Sequence, residues 1–189
     1  MTRQVLYFDK PGAQNSAACL NLLPGLAAEG FADFVVASTT GDTGAAAAAT
    51  LSGLAVNLVV VAHSVGFKEP NQDEFLPQHE SAILAAGGRV HRATILTHSL
   101  ETALASQHQG CYPTILIAQA LRRLGQGTKV CCEIVMEAVD GGLISEGKHV
   151  VAVAGTARGA DTVAIIRSAA SKRFLDLQVA EYLAKPRSW

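Results

Sequence analysis

The sequence predicts an α/β fold, a three-layer α/β/α sandwich around a mostly parallel sheet, formed as one domain over residues 1–189. Three observations predict it. Short apolar runs (FVVA at 34–37, LVVV at 58–61, VVAVA at 150–154) alternate with stretches of helical composition, the order that builds parallel sheets. The LVVV run is apolar at every position, as a strand covered on both faces requires. Hydrophobic residues make up 49 % of the chain, charged residues 16 % and aromatics 5 %, with Ala and Gly abundant. That composition favours close helix-on-sheet packing over a β-sandwich or an aromatic nucleic-acid platform.

In order along the chain, Val5 to Phe8 is a short strand, broken by Asp9-Lys10-Pro11-Gly12. Asn15-Ser16 caps a helix that runs to Gly30, and Pro24 inside it predicts a kink or two short helices. Phe34 to Ala37 is the second strand. Its turn leads into an alanine helix from about Gly41 to Ser52. Asn57 to Ala62 is the third strand, followed by a long loop containing Pro70 and then a helix from Pro77 to Ala86. Arg89 to Ala93 is a short strand. Residues 94 to 110 have no clear pattern, although Ser99-Leu100-Glu101-Thr102 can open a short helix. Pro113 to Leu124 carries a helical apolar sector, and Gly125 and Gly127 end it. Lys129 to Val139 is rich in β-branched residues and reads as a strand with Glu133 and Glu137 on one side and Cys131 and Cys132 on opposite faces. Val150 to Ala154 and Val163 to Arg167 are strands, and Phe174 to Leu183 is an edge strand or a helix ended by Pro186.

Charge and cysteine usage exclude several classes of function. A formal net charge of −1 nominates no nucleic acid and no anionic membrane, and no apolar run is long enough to span a bilayer. The four cysteines form no CxxC pair and read as reduced, mostly buried thiols. With no signal peptide before the first strand, the expected location is the cytoplasm. His79, His91, His98, His108 and His149 lack ligand spacing, so no metal is expected. No Lys or Arg lies between Pro11 and Phe67. Cations for an anionic ligand must therefore come from the termini or the last third of the chain, with Lys10, Arg158 and Arg167 as the candidates.

Ligands of open parallel sheets bind beyond the carboxyl ends of the strands. Four loops are predicted to meet there. The turn Ser38, Thr39, Thr40, Gly41, Asp42 and Thr43 joins a strand to a helix start with hydroxyls and a glycine, which suits a phosphate. The same residues also read as an ordinary turn with a Ser or Thr cap. The first loop offers Lys10 and Asn15, as ligand contacts or as a solvated lysine and a plain cap. The third offers His63, Ser64, Gly66 and Phe67, with His63 as ligand donor or structural histidine. The last offers Gly155, Thr156, Arg158, Gly159, Asp161 and Thr162. There Arg158 either grips phosphate bidentately or ties the turn to Asp161 or Asp42. Glu133 and Glu137 read as a polar strand face in preference to an acid/base pair.

The strings YFDKPGAQNS, VVASTTGDT, VVVAHSVGF, KVCCEIVMEAVDGG and VAVAGTARGADTVAIIR span most of the chain. In them the sequence resembles the carboxy-terminal α/β domain of pyruvate kinase, and more closely a family of stand-alone proteins of that fold. In pyruvate kinase the Ser/Thr-rich turn grips the phosphate of an allosteric sugar phosphate and a later Gly-rich loop closes over it. For the stand-alone family the resemblance implies bound flavin mononucleotide (FMN). The phosphate would sit on Ser38 to Thr43 and the ring near His63 to Phe67 and Thr156 to Arg158. The kinase turn carries a basic residue where this chain has Asp42, and the catalytic barrel is lacking, so pyruvate kinase activity is not expected. Three readings follow: a flavin protein, with oxidoreductase activity as one use of the flavin; a non-catalytic sensor of a phosphorylated metabolite; or a structural module. The alanine helix suits contact with a second copy, giving a homo-oligomer, or packing within one chain.

Overall fold

The computed structural model describes residues 2–97 and 99–188. Its centre is a seven-stranded sheet in the order β1-β7-β6-β5-β2-β3-β4. The strands are β1 (Leu6–Phe8), β2 (Asp33–Ala37), β3 (Asn57–His63), β4 (Arg89–Ala93), β5 (His149–Ala154), β6 (Thr162–Arg167) and β7 (Gln178–Pro186). Parallel pairs join β2 to β3, β2 to β5, β3 to β4 and β1 to β7. β6 runs antiparallel to both neighbours. All the other strands therefore point one way, and β1, β2, β3 and β5 end at the same rim. From β2 the chain winds outward through β3 to β4, whereas β5 returns on the other flank of β2. The winding reverses between β2 and β5, and a crevice at the carboxyl rim is the consequence.

The described residues form seven α-helices around the sheet: α1 (Ser16–Leu20), α2 (Leu23–Ala28), α3 (Asp42–Thr50), α4 (Pro77–Ala85), α5 (Ser99–His108), α6 (Pro113–Arg122) and α7 (Gln126–Asp140). Strand side chains alternate between the two faces. Phe34, Val36, Val60 and Val151 join Leu23, Leu26, Ala47 and Ile83 in one core. Val35, Val59 and Val150 join Cys131, Ile134, Val135 and Ala138 of α7 in the other. Three layers result. Among the described residues, no helix is long and apolar enough to cross a membrane.

The Pro24 region forms two short helices, α1 and α2, as proline at the first turn of α2 dictates. Several expectations are corrected. The last strand is interior, seated between β1 and β6. The stretch Lys129 to Val139 is helix, not strand, and forms most of the fifteen-residue α7. That length exceeds an ordinary strand, and Lys129, Glu133 and Glu137 recur at the four-residue spacing of one helix face. β-Branched content misleads here because α7 is buried almost all round, where packing overrides propensity. Cys131 and Cys132 consequently lie in one helix, both buried. Burial pushes the Cys19 and Cys132 thiols up to about 12 and raises Cys131 as well, so all three stay protonated. Gly127 does not end α6 but lets α7 dock on β6: a Cβ there would lie 2.0 Å from Thr162 Oγ1.

Close packing also explains Gly44. A Cβ at this position would stand 2.5 Å from Val60 Cγ1 and 3.2 Å from Ile83 Cδ1. Gly44→Ala gains roughly 1 kcal/mol of helix propensity and loses about 1–3 kcal/mol to overpacking. The expected result is net destabilisation of about 1 kcal/mol, read as a lower urea midpoint. An unchanged or raised midpoint would show that α3 can move off the sheet freely.

Candidate functional site

Strand β2 delivers its turn to the centre of the rim. Ser38 is buried and its Oγ accepts the Gly44 amide at 3.2 Å. Gly41, at φ +99°, makes the left-handed step that aims α3 at the rim, and a Cβ there would meet His79 Cβ at 2.5 Å. The first four N–H groups of a helix have no partner inside it. Ser38 takes that of Gly44, while Asp42 and Thr43 form cavity wall. Thr40 Oγ1 donates to Asp42 Oδ2 at 2.7 Å, and His79 Nε2 lies 2.8 Å from Asp42 Oδ1. An imidazole thus faces the acid that distinguishes this turn.

The first and last rim loops are fastened to each other. Asp161 is fully buried, and its Oδ2 accepts the amides of Gly12 at 2.9 Å and Thr156 at 3.0 Å. Its Oδ1 accepts the Thr162 hydroxyl at 2.8 Å. Ser16 Oγ accepts the Ala160 amide at 2.9 Å. Asp161 and Thr162 are therefore loop fasteners set below the cavity. The oxygens of Asp161 and Asp42 are occupied by these partners, and Arg158 is exposed at the mouth. On the third loop, His63 Nδ1 lies 3.2 Å from Glu74 Oε2, and its ring packs on Phe67 at 4.2 Å between centroids.

These loops enclose a cavity of about 700 Å³. Of the residues expected from the sequence, Ser38, Thr39, Thr40, Asp42, Thr43, His63, Phe67, Gly155, Arg158 and Gly159 line it. Thr43 and Arg158 therefore share one hollow. Lys10, Asn15, Gly41, Ser64, Gly66, Thr156, Asp161 and Thr162 are not in the lining. Lys10 is exposed, and its carbonyl accepts from Asn15 Nδ2 at 2.8 Å. Gly66, at φ +83°, belongs to the turn in which the Phe67 amide donates to Ser64 O. Among the described residues, no group of three or more His, Cys, Asp or Glu could hold a metal ion. His98 lies outside them.

A wall that the sequence reading does not anticipate comes from α6 and α7. Arg122, Gln126, Lys129, Glu133 and Glu137 all line the cavity. Lys129, Glu133 and Glu137 are buried, with 2 %, 3 % and 6 % of their surface exposed. Lys129 Nζ pairs with Glu133 Oε2. Glu133 Oε1 accepts the Thr97 amide at 3.2 Å and the Thr97 hydroxyl. Burial, then the neighbouring Glu133 charge, pushes the Glu137 carboxyl up to about 8. Burial likewise holds the Lys129 ammonium below the ordinary lysine range, against the pull of Glu133. The signal for this wall is the i, i+4, i+8 spacing of one base and two acids, and reading the segment with a period of two hides it.

No family model matches the sequence. A solved pyruvate kinase from Cryptosporidium parvum is similar in structure to this chain at a TM-score of 0.42 and 14 % identity. The similarity covers 85 % of this chain and 24 % of that one, so the chain spans about a quarter of the kinase's length.

Proposed function

We propose that this protein binds a phosphate-bearing small molecule in the rim cavity, and that the molecule is FMN, with flavin-dependent oxidoreductase activity as one use of it. The observation that carries the reading is the meeting of the Ser38–Thr43 turn and the Arg158 loop on one cavity. The turn supplies hydroxyls and the start of the nine-residue helix α3, whose partial positive charge favours an anion. Arg158 supplies a guanidinium suited to phosphate. With Asp42 facing the site, a single phosphate suits it better than two.

The residues present fit FMN. A volume of about 700 Å³ lies within the range of roughly 300–1,000 Å³ that holds drug-sized ligands. The cavity joins a polar turn on one wall to apolar surface from Ala37, Val61, Ala62, Ile95 and Ile134 on the others, which accommodates a planar ring. Phe67 and His63 add aromatic surface beside it. Bound flavin supplies hydride and single-electron chemistry of its own, so the chain has only to bind it, orient it and shape its surroundings.

Purified protein that carries a yellow chromophore, released on denaturation and identified by mass, would support the flavin reading. Colourless protein that gains no thermal stability from FMN would overturn it. A shift in melting temperature with sugar phosphates alone would point to the metabolite sensor. Thr43→Ala and Arg158→Ala are each expected to weaken binding of the phosphate ligand by about 1–3 kcal/mol, since each removes a hydrogen bond to a charged group. Unchanged affinity in both variants by titration calorimetry would retire this phosphate site.

A further inference from the structure

The wall built by α7 has no place in phosphate binding. It sets two carboxyls and one ammonium into the same cavity with almost no exposure to water. Buried charges persist when paired, and an unpaired carboxyl there is more stable neutral. Glu133 is satisfied as the anion: it holds Lys129 with one oxygen and Thr97 with the other. Glu137 stands one helical turn further on, with the Leu96 backbone amide beside it and, among the described residues, no ion-pair partner, since Lys129 is paired with Glu133. Among the described residues, the charged groups that act on it are Glu133, Lys129 and Asp140, all on α7, and the cavity is lined also by Arg122 of α6 and by His63 and Glu74 of the third rim loop. Arg122 is directed to Gln126, whose Oε1 accepts from its Nε at 2.8 Å.

We propose that Glu137 is the proton-carrying contact of the ligand. As a neutral carboxylic acid it donates its O–H to an acceptor oxygen at the end of the ligand remote from the phosphate turn, and Glu133 is a positioning residue whose charge, with burial, keeps it neutral against the opposing pull of Lys129. The ligand class is then a phosphate ester whose other end carries an uncharged carbonyl or imide acceptor. The proposal rests on the phosphate-ligand reading above. A carboxyl kept neutral inside an apolar site is an established means of donating a hydrogen bond at neutral pH.

The test is the affinity for FMN of the wild-type protein and of Glu137→Gln at pH 7 and pH 9, by titration calorimetry. Glutamine keeps the shape and a hydrogen-bond donor but cannot ionise. With the Glu137 carboxyl titrating at about 8, roughly a tenth of wild-type molecules remain binding-competent at pH 9. Wild-type affinity should then fall about tenfold relative to low pH, while Glu137→Gln stays flat. Ionisation of FMN itself is common to both proteins and cancels. Binding of FMN with the same pH response in both proteins overturns the proposal and leaves the phosphate reading standing. Failure of wild-type protein to bind FMN at either pH overturns the flavin reading and this contact with it. A measurement independent of ligand and of variant folding is the carbon-13 titration of buried carboxyls in the wild-type protein. A midpoint near 8 supports the proposal, and ordinary midpoints below 5 for every glutamate overturn it.

Discussion

Asp161→Ala should lower stability by about 3–5 kcal/mol and loosen the ligand site at the same time. The carboxylate is fully buried and satisfies three donors, the amides of Gly12 and Thr156 and the hydroxyl of Thr162. Each donor left buried without a partner costs roughly 1–3 kcal/mol. A loss of that size is a large share of the roughly 5–15 kcal/mol that holds a typical domain together. The loops it fastens are separated by about 150 residues of chain, since Gly12 and Thr156 share one oxygen. Cutting the fastening therefore frees Arg158 as well as destabilising the core beneath it. Asp161→Asn is expected to fall between wild type and alanine, because an amide accepts at one atom only. Urea denaturation gives the stability, and inorganic phosphate binding gives the state of the Arg158 loop. A cost below about 1 kcal/mol for the alanine variant would mean that water replaces the carboxylate without strain.

The fold was legible where one physical signal dominated. LVVV at 58–61 has no polar position, and it became β3, enclosed between two cores. Pro24 broke its helix because proline cannot donate the interior bond. The rim loops were legible through topology: once the strands are parallel, their ends must gather, and ten of the residues expected there line one cavity. Other residues of the same loops fasten instead of bind. Asp161 and Asn15 have the chemistry of ligand contacts. The role of Asp161 depends on the Gly12 amide, 149 positions away, which a local motif does not contain; that of Asn15 is a turn bond to the Lys10 carbonyl within its own loop. α7 is misread for a different reason. A helix buried almost all round shows only a narrow polar stripe, here Lys129, Glu133 and Glu137, and its β-branched residues outweigh that spacing. That single change of period hides the Lys129–Glu133–Glu137 wall.

That wall should also make the protein less stable as pH rises from about 4.5 to about 8. Burial and the Glu133 charge raise the Glu137 carboxyl from 4.5 to about 8 in the folded chain. The folded state therefore holds its proton more tightly than the unfolded state. Below 4.5 both states are protonated and the contribution is whole; between the two values folding takes up a proton, and stability falls with rising pH; above 8 it is lost. Each pH unit between the two values is worth about 1.36 kcal/mol, so the loss across this window is roughly 4–5 kcal/mol. Lys129 acts in the opposite sense at higher pH: its folded value lies below the ordinary one, so stability rises with pH between the two values, where the folded lysine has given up its proton and the unfolded one has not. On the acid side, the hydrogen bond from Arg92 holds Glu80 below its usual value, and that contribution is lost as pH falls through the folded value. Maximum stability is thus expected near about pH 5. Urea midpoints at pH 5, 6.5 and 8 should decline steadily for wild type, and the decline should vanish in Glu137→Gln, whose side chain is neutral throughout. Parallel declines in the two proteins would assign the slope to other groups and leave Glu137 an ordinary ionised carboxylate at neutral pH.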